Sequence, residues 1–206
     1  MSKLKKELNP LAKEWEERIA NLPEDKKKAL EELNNMNWKE YQLKVIKRKK
    51  PQIKDGDIFV LSPKEGVYFY GRVLQSNIDH ITKDDFIQGK HVVFIFKSKT
   101  REISMDNLKI DYNELLIIPK IVDISYWNKG YFFNIGNIKL SQEEKELDYG
   151  FVDLGVFSDK FVKANGEEIN YQPKILGIHG ISTMTGVAST IQSELIINPE
   201  LLEFND

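Results

Sequence analysis

All twelve glycines of this 206-residue chain lie after Pro51. Before Pro51 the sequence is rich in Lys, Glu, Leu and Asn, whereas most of the Phe, Tyr, Val and Ile follow it. Lys, Glu and Leu favour helices, while β-branched and aromatic residues bounded by glycine favour strands. The change therefore predicts a helical N-terminal arm over residues 1–50 and a β-rich domain over residues 51–206.

The predicted fold class is α+β, mainly β. We expect a curled antiparallel sheet or a small barrel-like β domain, with the helical arm before it and one late helix near the C-terminus. In that late helix Val187, Ile191 and Leu195 recur at steps of four after Thr185.

Three helices are predicted in the arm. Asn9 can cap a helix that begins at Pro10, Pro23 can open a second, and Asn37 with Glu40 has capping-box spacing for a third. Their apolar stripes are narrow and short, so we expect them to dock on the rest of the chain rather than on a partner. The stripes are Leu11, Trp15, Ile19 and Leu22, then Leu30 and Leu33, then Trp38, Tyr41 and Val45.

The arm ends in the basic run "KVIKRKK", residues 44–50. We interpret it as a solvated helix end, because cations are favoured near the C-terminal end of a helix dipole. A nucleic-acid-binding arm is the alternative, and no second basic cluster with aromatic residues supports it.

The stretch "KDGDIFVLSPKEGVYFYGRVLQ", residues 54–75, has the clearest strand pattern. We predict a strand over 57–61, a five-residue connection over 62–66, and a second strand over 67–74 whose large side chains alternate between both faces. Gly71 inside that second strand indicates a bulge or a bend.

Further strands and turns are predicted along the domain. Pro119 should either divide its apolar segment or place it at a sheet edge. The predicted strands are 91–96, 114–122, 131–135, 149–157 and 174–180, with a hairpin turn at Asn165-Gly166.

The sequence offers little for catalysis or cofactors. It has no cysteine, and its three histidines form no metal-binding spacing. Asp79 and His80, with Asp84 and Asp85, could hold a hard cation, but a solvated loop is the simpler interpretation. An enzyme built around His179 ranks last, since a histidine that ends a strand is more often a packed residue. We therefore expect no catalytic, cofactor-binding or metal-binding residues.

The composition indicates where the protein acts. The net charge of −2 predicts no general attraction to nucleic acid or to anionic membrane. The first residues lack the apolar core of a signal peptide, and no apolar run approaches the length of a membrane span. With the lack of cysteine, this favours the cytoplasm.

Aromatic residues are the candidate partner contacts. Tyr68 and Tyr70 share a strand face, and Tyr126 and Trp127 lie beside a turn. Tyr and Trp are enriched in protein interfaces. The alternative that these rings seal the protein's own core carries equal weight.

Three features, residues 56–74, residues 115–136 and the short closing part of the chain, resemble the immunity protein 26 family of bacterial polymorphic toxin systems. The similarity covers roughly residues 51–190. It rests on a Gly-Asp-hydrophobic strand, a turn ending in glycine, a strand closing on Gly-Arg-Val, and an apolar segment with proline that leads to Trp-x-x-Gly-Tyr-Phe. The corresponding residues are Gly56, Asp57, Phe59, Gly66, Gly71, Arg72, Val73, Pro119, Trp127, Gly130, Tyr131 and Phe132.

The resemblance implies a β-rich protein that binds a toxin and protects the producing cell, with no catalytic residues. The toxins of such systems are often nucleases. Glu143, Glu144, Glu146 and Asp148 could then face a basic nuclease.

The first hairpin is also similar to the SH3-like barrels of the MazF/PemK ribonuclease toxins. The second strand of those proteins carries basic and hydroxyl residues, and here Val67, Tyr68, Phe69 and Tyr70 stand in that region. A nucleic-acid-binding or regulatory module therefore remains the alternative, without ribonuclease chemistry.

Overall fold

The computed structural model describes residues 9–83, 86–154 and 159–204. The helices are α1 Pro10–Ala20, α2 Glu24–Asn35, α3 Trp38–Tyr41, α4 Ser125–Asn128, α5 Gln142–Lys145 and α6 Met184–Ile197, followed by a 3-10 helix at Pro199–Leu202. The strands are β1 Asp57–Lys64, β2 Val67–Gln75, β3 His91–Thr100, β4 Leu115–Val122, β5 Phe133–Asn137, β6 Tyr149–Asp153, β7 Lys160–Val162, β8 Glu168–Ile169 and β9 Ile175–Ile178. The α+β, mainly β prediction is confirmed.

The strands form two open sheets rather than a closed barrel. The first has the order β4-β3-β2-β1-β5 and is antiparallel throughout. The second has the order β8-β7-β6-β9, and its β6–β9 pair is parallel. Pro119 lies in the edge strand β4, which runs unbroken from Leu115 to Val122, because an edge strand tolerates the missing N–H.

The β1–β2 hairpin has a shorter loop than predicted. Strand β1 continues through Pro63, and Lys64 pairs directly with Val67, so that two residues remain in the turn. The pairing register shifts by one residue between Leu61 and Lys64, which is a β-bulge. A bulge accommodates proline inside a strand because that residue need not donate to the ladder.

Gly71 is required by its cross-strand neighbour. It pairs with Phe59 on β1, and a Cβ atom at Gly71 would lie 2.2 Å from the Phe59 ring. The register of β2 against β3 also shifts between Phe69 and Gly71, as the sequence predicts for this glycine. The Phe59 ring can therefore lie across the strand and stack on Phe132 at a centroid separation of 4.4 Å.

Each face of the first sheet is covered by a separate core. On one face Phe59 and Phe69 pack with α4, with α6 and with Leu43 from the segment after α3. On the other face Tyr70 and Phe94 pack with Phe151 from the second sheet. The alternating side chains predicted for β2 are therefore buried on both sides.

The arm docks on the rest of the chain, as predicted. Helix α2 buries Leu30 and Leu33 and packs against α6. Helix α1 buries no residue fully, but its Arg18 makes two hydrogen bonds of 2.6 and 2.5 Å to the carboxylate of Glu194 on α6.

The prediction of a helix end over residues 44–50 is wrong. Helix α3 stops at Tyr41, and residues 42–50 form an irregular segment outside any helix or strand. Its backbone N–H groups donate to other elements, from Lys44 to Ser62 O at 2.7 Å and from Ile46 to Gly130 O at 2.8 Å. These long-range hydrogen bonds take the place of the helical ones.

Most of the other predicted elements are present with shifted ends. The predicted strand 131–135 is observed at Phe133–Asn137, and the late helix begins at Met184. Asn165-Gly166 lies in the turn between β7 and β8, with Gly166 at φ 84°. The predicted strand 149–157 is observed at Tyr149–Asp153, and residues 155–157 of that prediction lie outside the described residues.

Candidate functional site

Asp57 is a hub that joins β1 to β5. Its buried carboxylate accepts hydrogen bonds from Asn134 Nδ2 at 2.9 Å, from Asn137 Nδ2 at 2.7 Å and from the Lys54 backbone N–H at 2.9 Å. Asn134 in turn accepts from Trp127 Nε1 at 2.6 Å. The aspartate and the tryptophan of the two sequence motifs therefore belong to one hydrogen-bond network.

Arg72 forms the second network and has no solvent-exposed surface. Its Nη2 donates to Glu144 Oε2 at 2.9 Å, and its Nε lies 2.6 Å from Glu144 Oε1. The guanidinium also donates to the carbonyl oxygens of Ile138 at 3.0 Å and Gly56 at 3.3 Å. The ion pair between Arg72 on β2 and Glu144 on α5 therefore holds α5 against the first sheet.

Glu144 is held in its charged form inside the protein. Tyr112 Oη donates to it at 2.8 Å, and the Ser141 backbone N–H donates at 2.9 Å as part of a capping box. Burial alone would raise the pKa of Glu144, but the hydrogen bonds from Ser141, Arg72 and Tyr112 outweigh burial and lower the pKa below its usual range. Glu144 is therefore an internal counter-ion.

A glycine at position 56 is also required for the hydrogen bonds of Arg72. Its φ of 81° is in the left-handed region, and an added Cβ atom would lie 2.2 Å from the Ile138 carbonyl oxygen that Arg72 binds. Several motif residues on which the family resemblance rests are thus structural, because they position the sheet, α4 and α5.

Three of the four aromatic residues proposed as partner contacts are in the core. Tyr70, Tyr126 and Trp127 are at most 1% exposed, and Tyr68 is half-buried. Tyr126 Oη donates to the backbone carbonyls of Ser182 and Thr183. The alternative that these rings seal the core describes all three buried residues.

The acidic run divides between the interior and the surface. Glu144 pairs with Arg72, whereas Glu143 and Glu146 on and beside α5 are exposed. Asp148 is half-buried; its Oδ2 accepts from the Lys174 backbone N–H at 3.3 Å. Its Oδ1 is buried and has no hydrogen-bond partner among the described residues.

Glu146 and Asp148 line a half-open groove of about 570 Å³ between α5 and the β7–β8 hairpin. Tyr149 and Tyr171 also line it, and Tyr171 is 54% exposed. Burial, and after it the charge of Asp55, raises the pKa of Tyr149 to about 12, so its hydroxyl stays protonated. Lys145 and Lys163 lie at the same groove, and Lys163 is paired with Glu167 at 3.0 Å.

The sequence analysis does not single out Tyr149 and Tyr171. Tyr149 falls in the predicted strand 149–157 and directly follows the acidic run. Tyr171 follows the short strand β8 and stands two residues before Pro173, a position typical of an exposed turn. An aromatic residue in a polar turn is the signal that could have identified it.

The three histidines belong to no metal-binding group among the described residues. His179 stacks on His80 with ring centroids 5.7 Å apart and lies near Phe151. Residues 9–83, 86–154 and 159–204 contain no group of three or more histidine or acidic side chains placed to hold a metal ion. Asp84 and Asp85, which the hard-cation alternative needs, lie outside the described residues.

Comparison with known proteins gives a family match. The family model described as Immunity protein 26 matches residues 54–162, more than half of the chain. The matched range contains both hydrogen-bond networks and β1 to β7. No curated protein and no solved structure matches the chain. Within the described residues no helix combines the length and apolarity that crossing a membrane requires.

Proposed function

Because the chain belongs to the immunity protein 26 family, we propose that it binds a cognate bacterial toxin and neutralises it by stoichiometric occlusion, without catalysis. Family membership is the observation that carries this proposal. The protein would act in the cytoplasm of the producing cell and block the active site or the substrate path of the toxin, with a nuclease as the expected toxin class.

The arrangement of the motif residues supports a scaffold role for the matched region. Asp57, Arg72 and Trp127 are buried and engaged in hydrogen bonds within the chain. Such networks fix the backbone on which surface residues are displayed, and a preorganised surface loses less entropy on binding. Partner specificity would then reside in exposed side chains around this scaffold.

The groove beside α5 is the proposed contact for a basic toxin. Glu146 lines the groove and is exposed, Glu143 is exposed on the adjoining helix α5, and Asp148 Oδ1 accepts no hydrogen bond from the described residues. Tyr171 adds apolar area with a polar tip, which suits a binding surface. A lysine or arginine side chain of the toxin could enter this groove and pair with the carboxylates.

Co-expression with the toxin encoded by the adjacent gene tests the proposal. We expect the wild-type protein to restore growth and to purify with the toxin as a one-to-one complex. The variant Glu143→Lys/Glu146→Lys should bind about tenfold or more weakly, since two attractive charges become repulsive. Its matched control is Glu16→Lys/Glu31→Lys, the same charge change at two exposed positions of the arm.

The possible failures have separate meanings. A wild-type protein that neither binds nor protects against the neighbouring toxin would contradict the proposed function. Binding with equal loss in both variants, or in neither, would move the contact away from the groove and leave the function standing.

A further inference from the structure

A patch of six cations lies on and beside the irregular segment after α3. We call this patch the basic ridge. It consists of Lys44, Lys47, Arg48, Lys49, Lys50 and Lys129. All six are exposed. Lys129 is included because the next residue, Gly130, lies against the Lys47 backbone: a Cβ atom added to Gly130 would be 2.8 Å from the Lys47 carbonyl carbon.

The backbone of the basic ridge is fixed. Lys44 N–H donates to Ser62 O at 2.7 Å, Ile46 N–H to Gly130 O at 2.8 Å, and Lys49 N–H to Trp127 O at 3.3 Å. Lys44 is the first residue of the ridge. Leu43 before it is buried in the core, and Val45 after it is 52% exposed. The cations are thus held on a defined path across the surface, and the helix-dipole explanation for their clustering does not apply.

The charges of the ridge are not neutralised by carboxylates of the described residues. None of the six forms a salt bridge with a carboxylate in the described parts of the chain, while many other cations do, such as Lys97 with Glu114 and Lys160 with Glu168. The chain as a whole has a net charge of −2, so the positive charge of the ridge is a local excess. Such a concentration of like charge repels itself and is relieved by an anionic partner.

We propose that the basic ridge is a second toxin-binding surface and takes a carboxylate-rich face of the toxin. This inference rests on the proposed function and adds the charge of one face of the partner. Complementary charge at the rim of an interface accelerates association and fixes the relative orientation of the partners.

The surroundings of the ridge favour a protein over a nucleic acid. A single-stranded nucleic acid is bound by a basic groove with aromatic rings free to stack on bases. The Phe133 ring is already covered within the chain by Lys49, whose Nζ lies 4.9 Å from the ring centroid. Val45, exposed among the cations, offers an apolar contact of the kind that protein interfaces contain.

Charge reversal on the ridge tests the inference. The variant is Lys47→Glu/Lys49→Glu, and the matched control is Lys13→Glu/Lys28→Glu, the same charge change at two exposed lysines on α1 and α2. The probes are the toxin from the adjacent gene and a 20-nucleotide DNA, single- and double-stranded. Thermal unfolding of each variant first establishes that the fold is retained.

We expect the ridge variant to bind the toxin at least about tenfold more weakly, mainly through slower association, and the control to bind like the wild type. The difference should shrink as salt is raised. If the ridge variant bound the toxin as tightly as the wild type does, the inference would be overturned and the proposed function would stand. Failure of the wild-type protein to bind the toxin would overturn both.

Binding of the wild-type protein to DNA, lost in the ridge variant and steeply salt-dependent, would assign the ridge to nucleic acid instead. That result would overturn the inference whatever the behaviour of the toxin.

Discussion

At the scale of single residues, the main feature is a charged pair inside the protein. Arg72 has no exposed surface, and Glu144 is its counter-ion at 2.6 to 2.9 Å. A buried ion pair adds little stability compared with apolar residues of the same shape, but the loss of one partner leaves an uncompensated charge. The pair therefore makes the attachment of α5 to the sheet specific.

Substitution of this carboxylate should be costly. We expect Glu144→Gln to lower the free energy of unfolding by about 3–5 kcal/mol, because Arg72 stays charged and buried. Denaturant titration measures the change. Glu143→Gln, the exposed neighbour on the same helix, is the control and should stay within about 0.5 kcal/mol of the wild type. Equal stabilities for the two variants would show that Glu144 is solvated in solution.

A second residue-scale prediction concerns His91. Burial, and after it the charge of Lys90, lowers the pKa of this histidine to about 4. The unfolded chain has a histidine pKa of about 6.5, so between these values the unfolded state carries a proton that the folded state lacks. The contribution of His91 to stability is therefore full above about pH 6.5 and is lost as the pH falls toward 4.

His91→Gln isolates this effect, because Gln can still accept a hydrogen bond such as the one His91 Nδ1 accepts from Asn77 N–H at 3.3 Å. Between pH 6.5 and 4 the wild type should lose up to about 1.4 kcal/mol per pH unit more than the variant. Glu144 also loses its charge in acid, but in both proteins alike. Parallel stability curves for the two proteins would refute the assignment.

At the scale of elements, the contact between α2 and α6 decides how the arm behaves. Leu30 and Leu33 are buried, and α2 packs on α6, which in turn covers the first sheet. The division into an arm over residues 1–50 and a domain over residues 51–206 remains a prediction. This packing suggests that the two parts unfold together.

Leu33→Ala tests that coupling. Removal of a buried leucine side chain should cost about 2–5 kcal/mol. If the arm and the sheets unfold in one step, far-UV circular dichroism and the fluorescence of Trp127, measured with Trp15 and Trp38 of the arm replaced by Phe, should shift to the same lower denaturant midpoint. Glu32→Ala, exposed on the same helix, is the control. A shift in the helical signal alone would show that the arm unfolds separately.

Local patterns predicted the elements well. Each of these patterns involves only a few neighbouring residues and can be recognised from a short stretch of sequence. Examples are the Asn9 cap, the alternation along β2 and the Asn165-Gly166 turn. The partner of Arg72 was not predictable in this way, because Glu144 lies 72 residues further along the chain.

The same limit explains the two main differences from expectation. The sequence around Tyr70 predicts an exposed contact, because the residues of the second sheet that cover its face, such as Phe151, are distant in sequence. The local sequence of residues 44–50 predicts a helix end, because the hydrogen-bond partners that hold the segment in another conformation, Ser62 and Gly130, are distant in sequence. In both places tertiary contacts override the conformation or exposure that the local sequence favours.

At the scale of the whole molecule, charge is distributed unevenly. Glu146 and Asp148 line the groove beside α5, and Glu143 is exposed on α5 itself, whereas the basic ridge presents cations that form no salt bridge with the described carboxylates. Two contacts of opposite sign would orient one partner in a single way and reject partners with the reverse pattern. The two charge-reversal experiments separate these contributions.

The docking of α2 on α6 also has a consequence for synthesis on the ribosome. Helix α2 ends at Asn35 and α6 begins at Met184, so α2 cannot pack on α6 until the ribosome has made all the residues between them. Until then the apolar side chains of Leu30 and Leu33 in the nascent protein are not covered by α6. A truncated product lacking α6 would expose apolar surface, and we expect cellular proteases to remove it.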